Sequence, residues 1–161
     1  MRRQFILIGR IVICIALLLT ALAVVAEETA NEVSKTSLVI PNLANEGIDL
    51  KSIYQASNAL RREAAASEKY ALVDHRPLFA KMQHNETRQE LIELARETGA
   101  EMAVIGLIKR RRQVNYLKLE LYNLKTDKLE NKTNTAITTL QPNALSSICR
   151  GALKSLLTSV K

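Results

Sequence analysis

Lys109-Arg110-Arg111-Arg112 is the densest run of charge in the chain, and its chemistry is electrostatic. Four adjacent cations concentrate a positive field that can grip an anionic polymer, phospholipid headgroups or an acidic protein surface. The same run reads equally well as a solvated hairpin tip whose charge deters edge-to-edge pairing. Just beyond it, Tyr116, Lys118, Glu120 and Tyr122 fall on one side of an alternating stretch. If that side is open, two tyrosines on a strand are good contact anchors; if a helix covers it, they are core. Lys109, Arg110, Arg111, Arg112, Tyr116 and Tyr122 are therefore the candidate binding residues.

Other chemistries find less support. There is no G-x-S-x-G elbow for a nucleophilic serine. Cys149 falls on the apolar side of a helical pattern, where a thiol behaves as a small hydrophobe. His75 and His84 lie nine residues apart in a loop with Asp74, Gln83, Asn85 and Glu86. A metal would need a third good ligand there, so two solvated histidines are the simpler reading. Gly47, Gly99, Gly106 and Gly151 are isolated and make no phosphate-cradling loop. No catalytic residue, metal site or cofactor is expected, and a small hydrolase or metal-binding protein using loop 75–86 is the weaker alternative.

The elements that must position the cations follow from periodicity. Ser37 to Ile40 is a short apolar strand stopped by Pro41-Asn42, and Asn45 to Gly47 form a turn. Asp49 caps a helix whose apolar positions Leu50, Ile53, Tyr54, Ser57, Leu60 and Ala64 recur at helical spacing, with Lys51, Asn58, Arg61 and Arg62 between them. Tyr70 to Asp74 is the next strand. Thr87 and Glu90 form a capping box for a helix faced by Leu91, Ile92, Leu94 and Ala95, and Gly99 ends it.

Met102 to Ile108 is apolar on both faces and must be a central strand; Lys109 to Gln113 turn the chain. Leu117, Leu119 and Leu121 point one way from the next strand. A turn at Lys125 to Lys128 leads to a strand around Thr135 to Leu140. Pro142 opens a last helix with the stripe Leu145, Ile148, Cys149, Ala152, Leu153, Leu156, Leu157 and Val160. The order β-α-β-α-β-β-β-α predicts an α/β layered sandwich, a mixed sheet of about five strands with three main helices, its first three strands parallel.

Residues 1–26 give the address. Arg2, Arg3 and Arg10 precede the apolar run Ile11 to Ala26, and Glu27-Glu28 come next, the layout of a secretory signal peptide cleaved after Ala26. The alternative is an inner-membrane anchor over residues 5–26, although Arg10 interrupts it. Residues 27–36 are a polar lead and 37–161 one domain. Of 23 basic residues the leader holds three, and it holds none of the 16 acidic ones, so cleavage leaves a net charge of +4. A periplasmic or secreted location argues against nucleic acid as a partner, and no aromatic stacking platform accompanies the cations.

Several segments carry a resemblance. Leu94 to Gly106, the hairpin Leu117 to Asn123 with its Lys125-Thr126-Asp127 turn, Ile40-Pro41, Tyr70 to Asp74, and Arg150-Gly151-Ala152-Leu153 resemble a pattern shared by two related groups. One is the amino-terminal domain of TolB with the curli-secretion lipoprotein; the other is a set of small uncharacterised secreted bacterial proteins. The resemblance covers about Ser37 to Val160. It implies a non-enzymatic envelope module that binds envelope proteins and in some members assembles into rings, and it transfers no catalytic residues. The expectation is an interaction module docking an envelope or secretion complex through the basic tip and sheet face, with an anionic surface as another partner. The alternative is a ring-forming homo-oligomer in a secretion apparatus.

Overall fold

The computed structural model describes residues 34–82 and 86–158, so the leader and the first part of the polar lead lie outside the described residues. The compact unit described begins at Lys35. Its sheet contains β1 (Thr36–Val39), β2 (Ala44–Glu46), β3 (Tyr70–Leu72), β4 (Met102–Arg111), β5 (Val114–Asn123) and β6 (Lys128–Ile137). Its helices are α1 (Leu50–Ala65), α2 (Arg88–Glu97) and α3 (Pro142–Thr158), with a 3-10 turn at Arg76–Leu78. The sheet order is β3-β1-β4-β5-β6; β1 is parallel to β3 and β4, and β4-β5-β6 form an antiparallel meander. The mixed α/β sandwich with three helices is as the sequence predicts.

A sixth strand joins it. β2 lies parallel to β4 on the same side as β1, so the two are one row interrupted at residues 40–43. Val39 pairs with Ala103 and Ala44 with Leu107, which leaves four residues on one side of the break facing three on the other. Pro41 cannot donate to the ladder, so the row must break near it. Side chains of α1 satisfy the freed backbone: Arg61 Nε donates to the Ile40 carbonyl at 2.9 Å, and Leu43 N–H donates to Ser57 Oγ at 3.0 Å. The expected turn at Asn45 to Gly47 is therefore part strand. Asn45 still closes the loop into α1 through its side chain, accepting from Ile48 N–H and donating to Ile48 O, and Gly47 supplies the positive φ of 80°.

The local helix signals hold. Asp49 accepts from Ser52 N–H at 2.9 Å at the head of α1. At the head of α2, Thr87 and Glu90 exchange both capping-box bonds. Gly99 comes just after α2 with φ 72°.

Two apolar layers flank the sheet. On one face α1 and α3 pack against Leu38, Val104, Ile108 and the fully buried Leu117, Leu119 and Leu121. Cys149 lies in this layer, and burial pushes its thiol up to about 12. On the other face α2 supplies Leu91, Ile92 and Ala95, and the segment after β3 adds Leu78 and Met82, over Val39, Ala103, Ile105 and Tyr122. Among the described residues, α2 and the segment around Leu78 and Met82 leave the hairpin end of this second face uncovered.

Candidate functional site

The bare part is the end of the sheet that carries the cations. β4 runs on through Arg111, so Lys109, Arg110 and Arg111 are strand residues rather than turn residues. Only Arg112 and Gln113 turn the chain, with Arg112 at φ 55°. The reason lies in pairing: every residue from Met102 to Arg111 has a register partner on β5, the last being Arg111 with Val114. A strand alternates, and this splits the run of cations. Lys109 and Arg111 fall on the α2 side with Tyr116 and Lys118. Arg110 falls on the side of α1 and α3.

β6 adds to this surface. It begins at Lys128 rather than near Thr135, and it places Lys132 opposite Glu120 and Asn134 opposite Lys118. Lys109, Arg111, Tyr116, Lys118, Lys132, Thr133 and Asn134 line one groove of about 580 Å³. Among the described residues, Lys118 is the one of these four cations with an ion-pair partner, Glu120 Oε1 at 2.7 Å.

Glu120 is the hub that joins the groove to α2. It is 5% exposed, and it accepts from Arg88 Nε at 2.7 Å and from the Tyr122 hydroxyl at 3.1 Å. The Arg88 guanidinium also lies 5.1 Å from the Tyr122 ring centroid. Tyr122 is therefore held under Arg88 at 4% exposure. It is a core residue and not a surface anchor, because α2 covers this end of β5. Tyr116, six residues earlier, is half-buried in the open groove.

A second cavity of about 320 Å³ adjoins the groove, sharing Lys118 with it. Leu91, Ile105, Leu107 and Ala44 line its apolar part, with Arg88, Glu120, Glu46 and Glu86 at its rim. Lys118 was visible in the sequence as a neighbour of the tyrosines. Lys132 was hidden by placing β6 too late, and Arg88 by the distance of 32 residues from Glu120. The alternation Lys132, Asn134, Ala136 was the available signal.

The histidine loop is arranged differently. Asp74 pairs with Arg76 at 2.9 Å, and its hydrogen bonds to Arg76 hold its carboxyl down at about 2. The His75 ring packs edge-on against Phe79, and burial, with the nearby Arg61 charge, lowers its pKa. His84 lies outside the described residues. Among the described residues no cluster of three metal-binding side chains occurs, and no helix is long and apolar enough to cross a membrane.

No protein-family profile matches the chain, and no curated protein matches it. Solved structures do. A point variant of the PelC dodecamer from Paraburkholderia phytofirmans superposes with a TM-score of 0.54 at 12% identity, over 76% of this chain and 88% of PelC. Lipoprotein GNA1162 from Neisseria meningitidis gives 0.52 at 9% identity, over 78% of this chain and 99% of that one. TolB from Acinetobacter baumannii gives 0.50 at 12% identity over 78% of this chain, which spans 29% of TolB. The chain shares the fold of these structures, TolB among them, as the strand pattern and the Leu94 to Gly106 segment suggested.

Proposed function

We propose that the chain is a non-enzymatic interaction module of the cell envelope, exported under its leader, that docks a protein partner against the basic end of its sheet. One observation carries the reading: α2 stops short of the hairpin, so Lys109, Arg111, Lys118 and Lys132 converge around Tyr116 in a groove that no other described residue covers. Cations so placed speed encounter with an acidic surface, and an aromatic at their centre supplies contact area. The envelope location rests on the leader and on a fold found in a lipoprotein and in TolB.

The test is photo-crosslinking in cells. A photoreactive phenylalanine derivative replaces Tyr116 in one strain and Asn143, at the head of α3, in another. Adducts to an envelope protein from position 116 alone support docking at the groove. Equal adducts from both positions, or none from 116, overturn it.

A second reading is a ring-forming subunit. It is favoured by β6, a ten-residue strand at the sheet margin, and by the dodecameric state of PelC. Light scattering across a concentration series tests it: a stable high-order oligomer supports the ring, and a monomer overturns it.

A further inference from the structure

Resting on that docking reading, we infer that the occupant of the groove is an acidic protein segment bearing one large apolar side chain: its carboxylates meet Lys109, Arg111, Lys118 and Lys132, and the apolar group enters the cavity floored by Ile105 and Leu107.

The register gives the cations a direction. Arg111 is level with Val114, Lys109 with Tyr116, Lys118 with Asn134 and Lys132 with Glu120. Reading these rows in order, the charges step from β4 across β5 to β6, a diagonal line over three strands. Adjacent strands lie ~4.8 Å apart and alternate residues ~6.8 Å along a strand, so successive cations from Lys109 onward are roughly 8 Å apart. That spacing suits a chain of carboxylates lying across the sheet, not one compact anion.

The cavity decides which kind of anionic chain. It opens beside Lys118, midway along the line, and its floor is aliphatic. An acidic polysaccharide has nothing to place there. A protein segment can insert a leucine or phenylalanine, and roughly 320 Å³ holds such a side chain with room to spare. Glu46, which also lines the cavity, repels the segment's carboxylates, which keeps them on the basic side. Glu120 adds no free charge to the groove, since Arg88 and Lys118 both pair with it.

The experiment uses the full-length chain in mild detergent and three probes: a short Asp/Glu-rich peptide with one central phenylalanine, the same peptide with serine there, and polygalacturonate. The phenylalanine peptide is expected to bind most tightly. Its serine counterpart should be weaker by roughly tenfold or more, the worth of burying one large apolar side chain. Lys109→Glu with Arg111→Glu should weaken the phenylalanine peptide by roughly tenfold and flatten its salt dependence. Lys132→Glu, on the exposed edge strand, makes the same test if the double variant fails to fold. Equal binding of the two peptides, tighter binding of polygalacturonate, or no binding of the phenylalanine peptide overturns the inference. The crosslinks from position 116 report separately on whether any protein docks there.

Discussion

The Arg61 guanidinium reaches 21 residues back along the chain to the Ile40 carbonyl, which it meets through Nε at 2.9 Å. Its Nη2 donates to Asn42 Oδ1 at 2.7 Å and its Nη1 to Asn58 Oδ1 at 3.0 Å. One buried cation thus takes the place of a ladder donor for the Ile40 carbonyl at the break, beside Ser57, which accepts the freed Leu43 N–H. Burial pulls its pKa down to about 10, so it is still charged at neutral pH.

Arg61→Ala leaves the Ile40 carbonyl and the Asn42 side chain without these partners inside the protein. Orphaned buried acceptors cost ~1–3 kcal/mol each, so a loss of about 3 kcal/mol is expected. Arg61→Lys recovers only part of it, because an ammonium cannot span two acceptors as a planar fork does. Denaturant unfolding of both variants checks the order.

Glu120 ties β5 to α2. In Glu120→Gln the Arg88 and Lys118 contacts lose their charge assistance while the shape is kept. Arg88 and Lys118 are largely solvated, so a loss of about 1 kcal/mol is expected rather than a buried-pair value. A double-mutant cycle with Arg88→Ala should give a coupling of about that size, and additivity would show that the pair adds nothing.

Gly106 faces Leu43 and Leu119, and a Cβ built there would stand 2.1 Å from Leu43 Cδ2. Gly106→Ala should cost about 1–3 kcal/mol through overpacking. Leu43→Ala should cost stability alone yet recover part of the loss in combination. Thermal melts of the two single variants and the double variant make the comparison.

The Cys149 thiol titrates far above its ordinary value of 9.0, at about 12. Its neutral form is the one the fold favours, so its contribution is fully present below pH ~9. It fades as the pH rises towards 12, because the unfolded chain ionises first. Alkaline unfolding should show this slope in the native chain and lose it in Cys149→Ala. A thiol reagent at neutral pH should label Cys149 only after unfolding.

Alternation divides the cationic run, and function should divide with it. Arg111→Glu should weaken capture at the groove, by less than the Lys109/Arg111 double variant, and reduce its salt sensitivity, while Arg110→Glu, on the other face, should leave both unchanged. Crosslinking yield from position 116 at two ionic strengths separates the two variants.

Legibility in the sequence has a physical pattern. The Thr87–Glu90 box, the Asp49 cap and the Leu117/Leu119/Leu121 alternation are local, and each was legible because its partners lie within a turn or on one strand. β2 was not, since Ala44-Asn45-Glu46, with one small apolar residue and two polar ones between Pro41 and Gly47, looks like a turn. Only pairing with β4 makes it a strand. Arg61 sat among polar helix positions and looked solvated; the break that buries it is a tertiary event. Lys132 and the rest of early β6 are polar because an edge strand is covered on one face only. The bare groove depends on the length of α2 relative to β4, which no single segment encodes.

The interruption at residues 40–43 has the arithmetic of an insertion. One surplus residue reverses the in-and-out parity, so that Val39 and Ala44, an odd and an even position, both face α2. A chain shorter by one residue there would keep every side chain of β2 on its present face and would run as one continuous strand. It would also have no gap for a guanidinium to close, and a position equivalent to Arg61 would be free to hold any aliphatic residue.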